Sequence, residues 1–144
     1  MLLGVALAVF APLAGCNRGP AMSQVSGKVL YKDGTVPQGG VAVVNFQPVE
    51  GSTAEVRKGA SGAIESDGSF SMWTRAPGDG VYHGKYEVSF VVLKSPTDPT
   101  SLVVPKYSNA RSSGYQVEVD DDIDDLQFEI EPMPGVTGAP AASG

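Results

Sequence analysis

The sequence has few of the residues that covalent cross-links, metal sites and acid–base chemistry require. Its 144 residues include one cysteine, Cys16, and one histidine, His83. A single cysteine excludes an intramolecular disulfide, so the hydrophobic core must hold the fold together. A zinc site built from several Cys and His side chains is excluded as well. Acidic residues outnumber basic ones by 16 to 10, which argues against a nucleic-acid partner, because phosphates need patches of Lys and Arg.

Helical periodicity and long apolar runs are also missing after residue 15. No later apolar run approaches the ~20 residues of a transmembrane helix, so none is expected there. Glycine (18) and proline (11) are abundant instead. Together they form about a fifth of the chain, against a usual share of roughly an eighth, which favours many turns over long helices. A chain of this length is expected to form one domain.

The first twelve residues are apolar and carry no charge. The run ends in Leu13-Ala14-Gly15-Cys16 and is followed by the polar residues 17–20. An apolar segment that ends in small residues is typical of an export signal. A core helix, a plain signal peptide and a buried cysteine are the alternatives. The start of the run at Met1 and the position of Cys16 directly after Leu-Ala-Gly favour a signal.

This ending resembles the lipobox of bacterial lipoproteins. The resemblance implies a signal peptide over residues 1–15, cleavage before Cys16, and fatty acids such as palmitate on that cysteine, followed by a linker over residues 16–22. It also implies a membrane partner through the lipid and a location on the periplasmic or cell-surface side of a bacterial envelope. The basic residue with which such signals usually begin is absent from Met1-Leu2-Leu3-Gly4.

Short β-rich segments separated by turn signals fill the rest of the chain. Asp33-Gly34 and Asp67-Gly68 are typical of tight turns, because glycine supplies a positive φ. The pattern predicts seven or eight strands in an all-β, antiparallel sandwich of the immunoglobulin or transthyretin type, over residues 23–131. Residues 132–144 are mainly Pro, Gly, Ala and Ser, and we expect them to be disordered. The predicted strands are Val25–Tyr31, Gly40–Phe46, Ala60–Glu65, Phe70–Thr74, Lys85–Leu93, Leu102–Val104, Tyr115–Val119 and Ile123–Ile130.

Several short motifs follow one another in a recognisable order. They resemble the carboxypeptidase regulatory-like domain, a transthyretin-like sandwich, and with the lipobox they resemble small planctomycete lipoproteins of this type. The resemblance covers roughly Val25 to Ile130. It implies a non-catalytic appendage, so we expect no enzymatic activity and no cofactor. The motifs are Gly27-Lys28-Val29, Asp33-Gly34, Val41-Ala42-Val43, Asp67-Gly68-Ser69-Phe70, Gly84-Lys85-Tyr86-Glu87-Val88, Val104-Pro105-Lys106-Tyr107-Ser108 and Ser113-Gly114-Tyr115-Gln116-Val117.

Two groups of side chains are candidates for chemistry. His83 is a candidate general base, but we expect an exposed loop histidine. Five carboxylates are weak candidates for calcium, an ion that takes oxygen ligands on flexible loops. A solvated turn whose charges discourage edge pairing is the alternative, and no metal is expected. The carboxylates are those of Asp120, Asp121, Asp122, Asp124 and Asp125.

Aromatic side chains are candidates for a binding surface. Trp73 and four tyrosines would suit sugar stacking, although core packing is the expected role. The tyrosines are Tyr82, Tyr86, Tyr107 and Tyr115. The sequence therefore predicts a lipid-anchored, non-catalytic binding or structural module with an unknown protein or glycan partner. The alternative is a carrier or receptor for a small ligand or glycan that uses loops 75–84 and 95–113.

Overall fold

The computed structural model describes residues 19–141, and within them the chain is almost entirely β-structure. The elements are β1 (Met22–Ser23), β2 (Val25–Tyr31), β3 (Val41–Pro48), β4 (Ala60–Ala63), β5 (Ser69–Ser71), β6 (Val81–Tyr82), β7 (Gly84–Leu93), a 3-10 helix (Pro105–Ser108), β8 (Gln116–Val119) and β9 (Ile123–Ile130). Two main sheets, β5-β2-β9 and β4-β3-β7-β8, are accompanied by the small β1-β6 ladder. The predicted all-β sandwich is confirmed. The predicted signal segment, residues 1–15, lies outside the described residues.

The four-stranded sheet is organised around β7, which pairs with β3 from Tyr86 to Leu93 on one side and with β8 from Gly84 to Glu87 on the other. Tyr86, Val88, Phe90 and Val92 alternate along β7, and each is at most 1% exposed. The strand predicted over Lys85–Leu93 is present, and this face of it lies on the core. Such full burial of alternate positions is typical of a central strand with one face on the core.

The three-stranded sheet contains one pair that differs from the predicted antiparallel arrangement. β2 pairs antiparallel with β5 but parallel with β9, with Val29 opposite Phe128. Because about a hundred residues separate the two strands, the local alternation of each carries no information on their relative direction. Gly27 lies where the β2–β9 register shifts, and a Cβ atom there would overlap the backbone carbonyl of Leu126. Only glycine therefore fits at this close approach.

An aromatic cluster fills the space between the two main sheets. The centroid of the Phe128 ring, from β9, lies 5.3 Å from the centroid of the Phe90 ring of β7 and 5.8 Å from that of the Phe70 ring of β5. Tyr115 packs edge-on against Phe128 at 5.1 Å. Burial of one phenylalanine contributes about 2–3 kcal/mol, so this cluster supplies much of the core.

Carboxylate-capped turns connect the strands, as the Asp-Gly pairs predicted. Asp33 Oδ1 accepts hydrogen bonds from the backbone N of Thr35 at 2.9 Å and from its hydroxyl at 2.6 Å. Asp67 holds Ser69 in the same way, at 2.9 and 2.6 Å. These hydrogen bonds favour the charged carboxylates and lower the pKa of both aspartates.

Residues 132–139 pair with the sandwich, which differs from the disorder predicted for residues 132–144; residues 142–144 lie outside the described residues. The backbone N and O of Val36 both pair with Ala139, at 2.8 and 2.9 Å. The backbone N of Met133 donates to Leu102 O at 2.9 Å, and Val136 packs against the core. Residues 102–104, predicted as a strand, form a single isolated bridge among the described residues, between Val103 and Pro132. The composition of this segment did not predict the pairing, because backbone hydrogen bonds require no particular side chain.

The two ends of the sandwich carry different parts of the chain. Residues 19–24, 49–59, 73–83 and 120–122 meet at one end, which we call the N-terminal end, since β1 pairs with β6 there. The opposite end carries the turns at residues 32–40, 64–68 and 94–101 together with the C-terminal segment. The chain thus enters the fold at one end and leaves it at the other.

Candidate functional site

Cys16, the predicted lipidation site, lies outside the described residues. The described residues begin at Gly19, three positions after it. The backbone N of His83 donates to Ala21 O at 3.1 Å, and Met22 pairs with Tyr82 in the β1–β6 ladder. The polypeptide that connects Cys16 to the fold is therefore fastened to the N-terminal end of the sandwich from Ala21 onward.

His83 is not the exposed loop residue that we expected. It is half-buried, and its Nε2 atom lies 2.8 Å from the hydroxyl oxygen of Ser23, which is itself 6% exposed. A serine–histidine contact at this distance is one part of a nucleophile–base arrangement, which also needs a group that orients the base. Among residues 19–141 no carboxylate is hydrogen-bonded to the His83 ring. The pair fastens β1 to the residue after β6, a contact that local sequence could not reveal.

The five carboxylates of residues 120–125 do not converge on one point. Asp122 accepts a hydrogen bond from Gln24 N at 2.8 Å, and Asp121 accepts one from Asp122 N at 2.8 Å. Asp124 and Asp125 lie on β9 and are exposed. In the described part of the chain, no group of three or more His, Cys, Asp or Glu side chains is placed to hold a metal ion. The cluster fastens the β8–β9 turn to the start of β2.

The four tyrosines belong to the core rather than to a binding surface. Tyr82, Tyr86 and Tyr107 are at most 7% exposed. The Tyr86 hydroxyl donates to Tyr82 O at 2.6 Å, which joins the start of β7 to the preceding segment. The Tyr115 hydroxyl donates to Glu129 O at 2.7 Å and accepts from Glu129 N at 3.1 Å, so it covers part of the free edge of β9. Core packing, the expected role, is what the structure shows for these residues.

Of the two loops in the alternative ligand site, only the first part of loop 95–113 lies far from loop 75–84. Loop 75–84 leads into the first residue of β7, whereas residues 95–100 follow its last residue, Leu93. A ten-residue strand spans about 30 Å at ~3.3 Å per residue. Residues 95–100 are therefore at the opposite end of the sandwich from loop 75–84. The rest of the second loop runs back along β7, where Ser113 donates to Val88 O and Arg111 donates to Glu50 at 2.7 Å.

Among the surface depressions formed by residues 19–141, two are open and are lined by several elements. The first, of about 760 Å³, crosses the outer face of β5-β2-β9, and we call it the sheet-face groove. The second, of about 570 Å³, is the N-terminal crevice, lined by Pro20, Ala21, His83 and residues 49–56 and 118–120. The sheet-face groove contains Trp73, the one tryptophan of the chain. Sequence reasoning missed this groove, because its lining comes from four strands and a loop.

Loop 74–80, which lines one end of the sheet-face groove through Pro77 and Gly78, is held in place by hydrogen bonds. The Asp79 carboxylate accepts three backbone hydrogen bonds, from Thr74 N at 2.8 Å, Arg75 N at 2.9 Å and Ala76 N at 3.1 Å. These bonds hold the pKa of Asp79 below its usual value. The side-chain amide of Gln24 donates to Gly78 O at 3.1 Å. Loop 74–80 is thus fixed both internally and to the start of β2.

Comparisons with family models, with curated proteins and with solved structures found no match to this chain. The resemblance to the carboxypeptidase regulatory-like domain therefore stays a prediction. In the region spanning residues 19–141, no helix is both long and apolar enough to cross a membrane.

Proposed function

We propose that this protein is a non-catalytic β-sandwich module that lipid on Cys16 anchors to the extracytoplasmic side of a bacterial envelope. The observation that carries the proposal is the sequence Leu13-Ala14-Gly15-Cys16 at the end of an uncharged apolar run, with a folded domain directly after it. Two or three acyl chains at one residue hold a protein stably, whereas a single chain gives only marginal binding.

The short distance along the chain between Cys16 and the fold supports this proposal. Five residue steps separate Cys16 from Ala21, whose carbonyl is hydrogen-bonded to His83. At ~3.3–3.6 Å per residue, a fully extended chain of this length reaches about 17 Å. The N-terminal end would then lie close to the membrane surface, and the opposite end of the sandwich would point away from it.

The sandwich also agrees with the type of domain that the motifs resemble. Gly34 and Gly68 adopt positive φ in the two Asp-Gly turns, at 86° each. Tyr86 begins the central strand and hydrogen-bonds back to residue 82, in the manner of a tyrosine corner. These features are structural, and they support a role in display or binding rather than in catalysis.

The test is to express the full chain in a bacterium with labelled palmitate and to separate membranes from soluble protein. The unmodified protein is expected to carry the label, to fractionate with membranes and to lose residues 1–15. Cys16→Ala is expected to carry no label and to leave the membrane fraction. Asn17→Ala, one residue along, is the matched control and should behave as the unmodified protein. A Cys16→Ala protein that stays with membranes as before would refute the anchor.

A further inference from the structure

The floor of the sheet-face groove is made of unusually small side chains. Ser26 on β2 and Ser71 on β5 face each other across the sheet as paired residues, and both line the groove. Ala63, on β4, continues the same surface. Longer side chains stand around this strip, among them Lys28 and Gln127, which are paired across β2 and β9. The outer face of the sheet is therefore concave rather than flat.

Trp73 stands at one end of the groove on a fixed piece of backbone. Its N and O atoms both pair with Ser61, at 2.8 and 2.9 Å. Trp73 is only half-buried, although tryptophan is among the residues that gain most from burial. Pro77 and Gly78, on the rigid loop 74–80, line the groove beside it. An indole ring is thus presented at the groove on backbone that needs no rearrangement.

The polar groups of the groove are available for a ligand. Within residues 19–141, the side chains of Ser26, Ser71, Lys28 and Gln127 make no hydrogen bond to another part of the protein. They supply hydroxyl, ammonium and amide groups, which include both donors and acceptors. The lining is therefore suited to a ligand that carries many groups able to donate and to accept.

The charge and polarity of the lining narrow the class of ligand. Three carboxylates, those of Glu65, Asp124 and Asp125, line the groove with one ammonium group, that of Lys28. This excess of negative charge disfavours phosphates and other anions. The serine floor disfavours a wholly apolar ligand, which would leave the hydroxyls without partners. A ligand with one apolar face and many hydroxyls satisfies both conditions.

We propose that the sheet-face groove binds a short, uncharged oligosaccharide, with one sugar ring stacked on Trp73 and the hydroxyls of the next rings bonded by Ser26, Ser71 and Gln127. The volume of about 760 Å³ lies within the ~300–1,000 Å³ that is usual for ligand sites. This inference does not rest on the lipid anchor, because folded residues alone form the groove. It names a site different from loops 75–84 and 95–113, of which only Pro77 and Gly78 contribute.

Trp73, the one tryptophan, allows binding to be measured by its fluorescence. The full chain is kept in a polyoxyethylene detergent, because detergents with sugar headgroups would compete for the groove. It is titrated with maltotriose, cellotriose, laminaritriose and chitobiose. Saturable binding of at least one saccharide is expected, with a dissociation constant on the order of 1 mM. Saturation-transfer NMR gives a second readout that remains usable in Trp73→Ala.

Substitutions on the two sheets decide whether the groove is the site. Ser26→Val fills the floor and is expected to weaken binding at least about tenfold, and Trp73→Ala is expected to do the same. Ser89→Val is the matched control, since Ser89 is a half-buried strand residue on β7 that does not line the groove. It should leave affinity within about twofold. The proposal is overturned if no saccharide binds, if Ser26→Val binds as the unmodified protein does, or if Ser89→Val weakens binding equally. Cys16→Ala should bind as before, so failure of the anchor and failure of the groove are separate results.

Discussion

Tyr86→Phe removes one hydroxyl from the core and leaves the ring in place. That hydroxyl donates to Tyr82 O at 2.6 Å, and Tyr86 is 1% exposed. A hydrogen bond of this kind contributes a net ~0.5–1.5 kcal/mol, and the carbonyl left without its donor adds a desolvation cost. We expect a loss of about 1.5 kcal/mol in the free energy of unfolding. For a domain of this size, that lowers Tm by about 6 °C.

Tyr31→Phe is the matched comparison. Tyr31 is also 1% exposed, but its hydroxyl is buried with no hydrogen-bond partner among the described residues. Burial, with a smaller contribution from the charge of Asp33, raises the pKa of this hydroxyl, and burial raises that of Tyr86. Since a buried hydroxyl without a hydrogen-bond partner lowers the free energy of unfolding, Tyr31→Phe should leave that free energy unchanged or raise it by up to about 1 kcal/mol.

Urea and thermal denaturation, followed by circular dichroism on both variants, test the comparison. Equal destabilisation by Tyr31→Phe and Tyr86→Phe would refute the reasoning, because the Tyr31 hydroxyl would then have a partner such as a buried water. A Tyr86→Phe protein as stable as the unmodified one would show that the hydrogen bond to Tyr82 contributes nothing net.

Three further outcomes are expected. Asp79→Asn should lower Tm near neutral pH more than Asp124→Asn does, since Asp79 accepts three backbone hydrogen bonds and Asp124 none among the described residues. Because folding lowers the pKa of Asp79, the stabilisation by its carboxylate is present above the unfolded value of 3.8 and is lost as pH falls below it. The plots of Tm against pH for the two variants should therefore converge in acid. Gly27→Ala should destabilise by about 3 kcal/mol in urea denaturation, because its Cβ overlaps a backbone carbonyl on β9, whereas Gly19→Ala, with no atom within 4 Å of the added carbon, should be neutral. Deletion of residues 132–144 should lower Tm measurably, since the backbone of this segment pairs with the sandwich, and an unchanged Tm would show that the segment adds no stability.

Local sequence patterns carried enough information to predict most of the strands. Alternation in the sequence coincides with alternating burial along β7 and along the second half of β9, because side chains on a strand alternate between its two faces. The Asp33-Gly34 and Asp67-Gly68 pairs predicted the turns, because both the carboxylate and the positive φ act within two or three residues. Tyr86, near the start of its strand, has the core role expected from the sequence, and its hydroxyl also donates to Tyr82 O.

Contacts between distant residues could not be predicted in this way. The parallel pairing of β2 with β9 depends on the path of the whole chain between them. The contact between Ser23 and His83 joins residues 60 positions apart, and no local pattern in the sequence predicts it. The groove beside Trp73 forms because the side chains of Ser26 and Ser71 are small. Small residues on an outer face produce no periodic pattern in the sequence, so the groove could not be predicted from it. Such features follow from topology and cannot be read from a window of sequence.

The negative charge of the crevice beside Ala21, where the linker from Cys16 joins the fold, makes Cys16→Ala a more stringent test of the lipid anchor. The N-terminal crevice is lined by four carboxylates, those of Glu50, Glu55, Glu118 and Asp120, and by one ammonium group, that of Lys85. The chain as a whole carries a net charge of −6. Adsorption to an anionic membrane surface needs clusters of Lys and Arg, in which each residue contributes about 1 kcal/mol, so the crevice, with four carboxylates and one ammonium group, offers no such attraction. A protein held only by covalent lipid should therefore be released in full by Cys16→Ala at physiological salt, without the high-salt wash that strips electrostatically adsorbed proteins. If release requires that wash, charge on the sandwich contributes to the attachment, and the anchor is not the lipid alone.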